Sequence, residues 1–353
     1  METRTLGRTQ LEVKRIGFGG MTIPQVDDDT AVATVNRALD LGINFLDTAR
    51  VYGKGDSERK IGLVMKHRRD ECYLSSRTTD MTYEGMKRAI DESLAALQTD
   101  HIDLYEPHDV STSEKYATLM SKDGALRALH EARDEGKIAH IGLTGHNWAI
   151  LAEAAATDEF EAMLVTYNIA TRNAEDGLLD VAEAHGVGLF VMKVFGNSRL
   201  LKLTPRGGGQ PPTVEQCLRF ALSNRRFGMI LTGAKSPEEI EQNVGIAESY
   251  TPLTDAEQQE VRAFGDSLSR GFCYGCEYCL PCPQEIDIPG ILQLLDHQER
   301  LSYEWPQGRK AYARFTATAE NCADCEQCEQ RCPQDLPIRD RLRTAHKRLA
   351  RPV

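Results

Sequence analysis

The sequence predicts an α/β fold: a (β/α)8 TIM barrel followed by a small helical domain rich in cysteine. One observation is that short apolar segments alternate eight times with amphipathic helical patterns over about 235 residues, the size of such a barrel. The other is that eight of the ten cysteines fall in the last quarter of the 353-residue chain. We therefore expect the barrel over residues 1–265 and the smaller domain over residues 266–353.

The predicted strands are short and apolar, as strands buried on both faces should be. A doubly wound sheet is the alternative, but the segment from Gly17 to Gly20 lacks the G-x-G-x-x-G dinucleotide fingerprint, and eight repeats exceed the about five or six strands of such a sheet. A hairpin over residues 3–16 precedes the first strand. The eight strands are expected at residues 16–18, 44–48, 72–75, 102–105, 139–144, 163–167, 189–194 and 229–232.

Helical patterns follow the strands and carry capping signals. Ser236 precedes a proline and is followed three residues on by Glu239, the capping-box pattern of a helix start. The barrel helices are expected at residues 30–41, 56–67, 82–97, 123–135, 147–156, 173–185, 213–223 and 236–248. Further helices are expected at 255–268, 288–303 and 338–349. The basic side chains of the last helix are expected to be solvated at the surface or to pack against the acidic barrel.

The longest linker within the barrel, residues 195–212, follows the seventh strand. Loops that follow barrel strands lie on the active face, and loops of this length are usually lids or binding loops. Arg199, Lys202 and Arg206 make the linker basic, which suits an anionic ligand. A solvated loop without a ligand is an equally supported alternative.

Composition excludes several functional classes. The formal net charge is −11, which argues against nucleic acid as a partner because phosphate binding needs a basic face. No run of about 18 apolar residues predicts a membrane span, and the polar N-terminus does not read as a signal peptide. A thiol-rich chain without an export signal is expected in the reducing cytoplasm.

The clustered cysteines form two runs, each followed by proline. The second run has the spacing C-x2-C-x2-C-x3-C-P, in which three thiolates hold one cubane iron–sulfur cluster and the fourth ligates the other cluster of a two-cluster ferredoxin. The first run differs by one residue before its last cysteine. The crossed scheme assigns one 4Fe–4S cluster to Cys273, Cys276, Cys279 and Cys332, and the other to Cys322, Cys325, Cys328 and Cys282.

Structural zinc and disulfides are the alternatives for these cysteines. Zinc sites usually pair two C-x2-C knuckles across a long gap, which differs from four closely spaced cysteines that end in proline. Disulfides fit small secreted domains, and this chain carries no secretory signal. Two 4Fe–4S clusters therefore explain the pattern best.

Polar residues lie where the predicted strands end, and catalytic groups of a barrel sit at these ends. Asp47 ends the second strand, and Tyr52 follows in the next loop. Arg77, His108 and His146 follow the third, fourth and fifth strands. Each residue alone is more often a structural group, but together they bring a phenol, a cation, a carboxylate and an imidazole to one face.

Four segments resemble the aldo-keto reductase superfamily: GINFLDTARVYG (42–53), IDLYEPHD (102–109), IGLTGH (141–146) and GAKSPEEIEQN (233–243). With the cysteine-rich segment CYGCEYCLPCPQEIDIP, the chain resembles the subgroup with a C-terminal ferredoxin-type domain. The resemblance covers nearly the whole chain. It implies NAD(P)H-linked reduction of a small carbonyl compound, or oxidation of the alcohol.

The resemblance implies a catalytic set of Asp47, Tyr52, Arg77 and His108. Hydride delivery to a carbonyl carbon builds an alkoxide, and Tyr52 can supply the proton that it needs. A free tyrosine has a pKa of about 10, so a neighbouring cation must lower it. The family uses lysine as that cation, whereas this chain has Arg77, which Asp47 would hold in place. His108 would orient the carbonyl or relay the proton.

The resemblance also implies contacts with the nicotinamide cofactor. Gly145 and Leu164 depart from the asparagine and glutamine that bind the carboxamide in the family. Glu239 would disfavour a 2′-phosphate if it faced the site, or it simply caps the helix, so Lys235 alone tilts the expectation from NAD to NADP. The expected cofactor contacts are Gly20, Met21, Asp47, Thr144, His146, Lys193, Gly233, Lys235, Ser236 and Asn243.

Three hypotheses about function follow from these patterns. In the first, the barrel is an oxidoreductase beside clusters that exchange electrons with a ferredoxin-like partner or serve structurally. In the second, motivated by Arg77, Gly145 and Leu164, the barrel is a ligand-binding or docking module attached to an electron carrier. In the third, the clusters are only a scaffold. A nicotinamide moves two electrons as hydride whereas each cluster moves one, so direct coupling needs a species that can split the pair, such as a flavin or a radical-forming substrate.

Overall fold

The computed structural model describes residues 1–202, 210–268, 273, 275, 277–299, 306–332 and 334–350. Cys276 and Arg206, both singled out above, lie outside the described residues. The chain divides into two compact units. The barrel unit comprises Met1–Asn168, Arg172–Val194 and Glu215–Thr254, and the cysteine-rich unit comprises Ile169–Thr171, Phe195–Val214 and Asp255–Val353. The domain boundary expected between residues 265 and 266 stays a prediction.

The described strands form one hairpin and one closed barrel. The hairpin pairs β1 (Thr3–Thr5) with β2 (Glu12–Lys14) in antiparallel fashion. The barrel strands are β3 (Ile16–Gly19), β4 (Phe45–Asp47), β5 (Tyr73–Thr78), β6 (Ile102–Pro107), β7 (Ile138–Thr144), β8 (Ala162–Thr166), β9 (Gly188–Met192) and β10 (Met229–Gly233). They close in the order β10-β3-β4-β5-β6-β7-β8-β9, with every pair parallel. The predicted barrel is confirmed.

The helices of the barrel unit are α1 (Asp28–Asp40), α2 (Asp56–Arg68), α3 (Tyr83–Leu97), α4 (Ser113–Met120), α5 (Ala125–Asp134), α6 (Trp148–Ala155), α7 (Leu178–Ala184), α8 (Val214–Ser223) and α9 (Pro237–Glu248). The sequence did not predict α4, because it buries only Tyr116 and Leu119, too few apolar positions to show a helical period. The helix expected over 173–185 begins only at Leu178, since Gly177 has a φ of 111° that no helix continues.

The barrel interior is apolar at the end that the hairpin segment closes and polar toward the C-terminal ends of the strands. Leu6, Leu11 and Val13 of the hairpin segment close one end and pack against an inner layer of Phe45, Leu104, Leu164, Phe190, Met229 and Leu231. The rings of Phe45 and Phe190 are 5.7 Å apart. Asp47 lies two residues beyond Phe45, and Glu106 lies two beyond Leu104. Because side chains alternate along a strand, both carboxylates point into the barrel above this layer.

The cysteine-rich unit has its own core. Its helices are α10 (Asp255–Leu268), α11 (Ile288–Gln298), α12 (Pro306–Tyr312), α13 (Gln327–Gln330) and α14 (Ile338–Leu349). Side chains of α11 and α14 form most of an apolar cluster that includes Leu295 and Leu342. The expectation that basic side chains of α14 are merely solvated is wrong for Arg341, which makes a 2.6 Å ion pair with buried Asp296. None of the helices within the described ranges is both long and apolar enough for a membrane crossing.

Candidate active site and cysteine-lined cavity

The centre of the candidate active site is a buried ion pair between Asp47 and Arg77. Strand pairing places Asp47 beside Ser75, and Arg77 is two residues further along β5, so all three point into the barrel. The Ser75 hydroxyl donates to Asp47 Oδ1 over 2.6 Å. Arg77 is 0% exposed, and its Nη2 donates to the same Ser75 hydroxyl over 3.5 Å. The sequence predicted that Asp47 and Arg77 would meet, and the structure brings them together.

Glu106 is a second carboxylate at Arg77, and the sequence analysis did not assign it a role. Its Oε2 lies 3.2 Å from Nε of Arg77, and both side chains are 0% exposed. The register of β5 and β6 pairs the two residues directly. Burial raises the pKa of Glu106, although the charge of Arg77 opposes this shift. A glutamate two residues after Leu104, on the same inward-facing side of the strand, was the signal that could have revealed it.

Tyr52 and His108 meet edge to face, with ring centroids 5.9 Å apart. Tyr52 is partly exposed at the start of a short turn in which Gly53 and Lys54 adopt positive φ angles of 60° and 58°. His108 is 4% exposed, and its Nδ1 has no hydrogen-bond partner among the described residues. Burial first, then the charge of Arg77, lowers the pKa of His108 well below 6.5. The imidazole is therefore neutral at pH 7 and can donate or accept a hydrogen bond.

His146 forms a second buried imidazole site with Lys193 and Thr166. Lys193 Nζ lies 3.2 Å from Nε2 of His146, and Thr166 Oγ1 lies 3.1 Å from Nδ1. An ammonium can only donate, so Nε2 accepts and Nδ1 carries the hydrogen that is donated to Thr166. Burial and then the charge of Lys193 lower the pKa of His146 well below 6.5. Nearby Thr144 is 1% exposed, and its hydroxyl has no partner within the described part of the chain.

Two departures from the family pattern have structural explanations. A Cβ at Gly145 would lie 2.6 Å from the carbonyl oxygen of Val110, so an asparagine at this position requires the backbone to shift. Leu164 belongs to the apolar inner layer and is 1% exposed. The inward-facing residue that ends β8 is Thr166, two positions further on, and its hydroxyl is engaged with His146. The sequence analysis missed Thr166 as a site residue.

The remaining predicted cofactor residues lie near β3, β10 and α9. Close packing surrounds Gly20, where a Cβ would be 2.7 Å from the carbonyl oxygen of Asp47. Gly233 ends β10 beside Thr22, Met21 is 40% exposed, and Asn243 is buried in α9. These positions are compatible with a ligand that passes over the ends of β3 and β10.

Glu239 caps the start of α9. Its carboxylate accepts the backbone N–H of Lys235 over 2.8 Å, and the Ser236 hydroxyl accepts the N–H of Glu239 over 3.4 Å. The contact that the structure shows therefore agrees with the interpretation of Glu239 as a helix-capping residue. The same contact puts a negative charge at a helix N-terminus, the place that otherwise favours a phosphate.

Five thiols of the cysteine-rich unit line one cavity. They belong to Cys279, Cys282, Cys322, Cys325 and Cys328. Across the described ranges, no three His, Cys, Asp or Glu side chains are grouped so that they could hold a single metal ion. A group with several metal corners, such as a cubane cluster, fits this arrangement. Four of the five thiols are those that the crossed scheme assigns to one cluster.

Asp296 connects three segments within the cysteine-rich unit and was not predicted. It is 2% exposed, and its Oδ2 accepts the backbone N–H of Cys273 over 3.1 Å. Arg199 lies 3.3 Å from the same oxygen, and Arg341 lies 2.6 Å from Oδ1. Arg199 comes from the linker that follows β9. The sequence analysis expected the charge of Arg199 to suit an anionic ligand. In the structure, part of that charge is paired with Asp296, a carboxylate of the chain itself.

Comparisons with known proteins agree with this architecture. A model described as the aldo/keto reductase family matches residues 15–211, and a model described as a 4Fe-4S dicluster domain matches residues 272–337. Pyridoxal 4-dehydrogenase of Microbacterium luteolum is 26% identical over 325 residues, covering 71% of this chain and 94% of that protein. L-galactose dehydrogenase of Arabidopsis thaliana is 28% identical over 282 residues, covering 69% and 87%.

Solved structures give the same result. The holo form of an aldo-keto reductase from Bacillus halodurans superposes with a TM-score of 0.66 at 27% identity, covering 76% of this chain and 98% of that one. An aldo/keto reductase of Klebsiella pneumoniae, solved in complex with NADP and acetate, has a TM-score of 0.61 at 23% identity, covering 75% and 96%, and supports the fold alone. Because the first family model covers more than half of the sequence, the chain belongs to the aldo/keto reductase family and carries a 4Fe-4S dicluster domain at its C-terminal end.

Proposed function

We propose that this protein reduces a small carbonyl compound with a nicotinamide cofactor, or oxidises the corresponding alcohol, with Tyr52 as the general acid or base. The observation that carries the proposal is the buried Asp47–Arg77 pair at the end of the barrel where Tyr52 meets a neutral His108. The names of the relatives, pyridoxal 4-dehydrogenase and L-galactose dehydrogenase, denote the same class of reaction.

The chain's own residues supply the proton chemistry. When bound, the nicotinamide supplies or accepts the hydride. Tyr52 donates its phenolic proton to the carbonyl oxygen, and the positive charge of Arg77 stabilises the tyrosinate that remains. Asp47 holds the guanidinium in place. His108, neutral at pH 7, donates a hydrogen bond that orients the carbonyl oxygen, because only a protonated ring nitrogen can do so.

Thr144, His146 and Lys193 would hold the nicotinamide end of the cofactor, and the start of α9 would hold the adenosine phosphate. The hydroxyl of Thr144 is buried without a described partner, which is what a group reserved for a ligand requires. Lys235 favours NADP through its charge, whereas Glu239 opposes a 2′-phosphate. We therefore propose NADP as the preferred cofactor by a modest margin.

The cysteine-lined cavity supports the proposal of two 4Fe–4S clusters with crossed ligation. When bound, such clusters store and pass single electrons. Cys282 lines the same cavity as Cys322, Cys325 and Cys328, which is the pairing that the crossed scheme requires. We propose that the clusters exchange electrons with a ferredoxin-like partner in a reducing cytoplasm, where the chain's charge of −11 suits a basic docking face.

The test is an anaerobic preparation assayed for iron, acid-labile sulfide and NADPH oxidation with a panel of aldehydes and ketones. Loss of the phenol in Tyr52→Phe should lower kcat/KM by about 10²–10⁴-fold, the usual contribution of a general acid. Tyr83→Phe is the matched control, since Tyr83 lies on α3 and bonds Glu131. Full activity in Tyr52→Phe would exclude the proposed role.

A second function is favoured by the glycine at position 145, which leaves the carboxamide of a nicotinamide without its usual partner. In that case the barrel binds or docks a ligand and the clusters carry the electrons. Clusters that a ferredoxin reduces, together with no NADPH turnover on any carbonyl tested, would support this second function. Clusters that dithionite reduces but ferredoxin does not would point to a scaffold role.

A further inference from the structure

We propose that Glu106 is a positioning residue for Arg77, and that this second buried carboxylate is the reason why arginine serves here in place of lysine. Asp47 lies at Nη2 of the guanidinium, and Glu106 lies at the neighbouring Nε. The catalytic consequence rests on the proposed function, whereas the geometric claim does not.

The geometry matches the shape of a guanidinium. Register pairs Arg77 with Glu106 across β5 and β6, and β4, which pairs with the other edge of β5, carries Asp47. Arginine presents donors at several fixed points of a rigid plane, whereas lysine is a single point charge on a flexible stem. One ammonium between two carboxylates, both almost fully buried, would leave at least one of them poorly compensated. An arginine spans both.

The neighbouring strand makes room for Glu106. A Cβ at Gly142 of β7 would lie 2.9 Å from Cγ of Glu106, so a larger residue at position 142 would displace the glutamate. Neither carboxylate oxygen of Glu106 accepts a well-aligned hydrogen bond among the described residues. Its charge is therefore balanced by Arg77 through proximity, and the pair depends on the position of both side chains.

The two carboxylates set how much positive charge reaches Tyr52. Arg77 faces Asp47 and Glu106, and the neutral His108 adds no charge. If lysine replaced arginine, an ammonium drawn toward either carboxylate would move away from a fixed position and stabilise tyrosinate less. Replacing Glu106 by glutamine should then help the lysine enzyme and harm the arginine enzyme. This reversal of sign distinguishes positioning from simple charge removal.

The experiment is a double-mutant cycle with wild type, Arg77→Lys, Glu106→Gln and the double variant. We expect Glu106→Gln to lower kcat about 3- to 10-fold with KM nearly unchanged, and to raise kcat at least about 10-fold in the lysine background. The pKa of the Tyr52 phenol is measured in parallel from tyrosinate absorbance, with a Tyr52→Phe copy of each variant subtracted. It should fall by at least about one unit on Glu106→Gln in the lysine background only.

Equal shifts of the phenol pKa in both backgrounds would overturn the proposal, since charge removal alone predicts that result. Additive effects on kcat would overturn it as well. The absorbance titration needs no substrate, so it tests the positioning claim even if no carbonyl compound is turned over. Should the double variant fail to fold, Glu106→Gln alone decides, because a wild-type kcat in that variant contradicts the proposal.

Discussion

The two buried neutral histidines make the stability of the barrel unit depend on pH in a way that can be calculated. Burial lowers the pKa of His108 and of His146 well below 6.5 in the folded protein. In the unfolded chain each ring has a pKa of about 6.5 and takes up a proton as the pH falls. Below that pH the unfolded state binds more protons, so the free energy of unfolding falls on acidification.

The magnitude follows from proton linkage. Between about pH 8 and pH 5, a histidine that stays neutral when folded costs about 2 kcal/mol of stability. Glu106 and Asp296 act in the opposite direction, because burial raises their folded pKa values and they bind protons first in the folded state. The slope of the free energy of unfolding against pH therefore contains contributions from several groups. The difference in that slope between wild type and a histidine variant reports the proton bound by one histidine.

The variant is His146→Gln, whose amide can accept from Lys193 and donate to Thr166. Urea unfolding is followed anaerobically by the fluorescence of Trp148 in a Trp305→Phe background. Between about pH 8 and pH 5, the variant should lose about 2 kcal/mol less stability than its parent. His67→Gln, at an exposed position of α2, is the matched control. An identical loss in His146→Gln and its parent would refute the reasoning, since His146 would then be protonated in both states.

Three further predictions concern the other sites. Asp296→Asn should destabilise the cysteine-rich unit by about 3–5 kcal/mol, because Arg199 and Arg341 lose a buried counter-charge. Chelator-driven iron loss should be correspondingly faster, with Asp340→Asn, whose side chain is 76% exposed, as the control. Under the crossed scheme, Cys282→Ala should perturb the cluster of the second cysteine run, and Mössbauer spectra resolve which cluster changes. Glu239→Gln should raise the NADPH over NADH preference about 3- to 10-fold in kcat/KM, since it removes a negative charge from a helix N-terminus.

The sequence predicted the barrel well because its evidence is local. Buried strands and amphipathic helices each leave a period in the sequence, and the eight barrel strands lie within a few residues of their predicted positions. Short α4 escaped prediction because two buried side chains do not define a period. Asp47 and Arg77 could be paired because both end neighbouring strands of a barrel.

The unpredicted site residues depend on contacts between distant segments. Asp296 meets Arg199 across 97 residues of sequence, and nothing local marks either residue as a partner. Glu106 gains its meaning only from the register of β5 against β6 and from the space at Gly142. The need for glycine at position 145 likewise comes from Val110, which belongs to another loop. Motif comparison identified Gly145 as a departure, but only the structure supplied its cause.

The interleaving of the chain between its two units constrains how this architecture can be rearranged. Phe195–Val214 begins directly after one barrel stretch and ends directly before another, yet it is grouped with the cysteine-rich tail. A chain truncated after residue 265 would keep Phe195–Val214 but lose most of the unit to which that stretch belongs. Grafting the tail onto a foreign barrel would likewise require the host's matching loop to be exchanged. We therefore expect gain or loss of the tail to be accompanied by changes within residues 195–214.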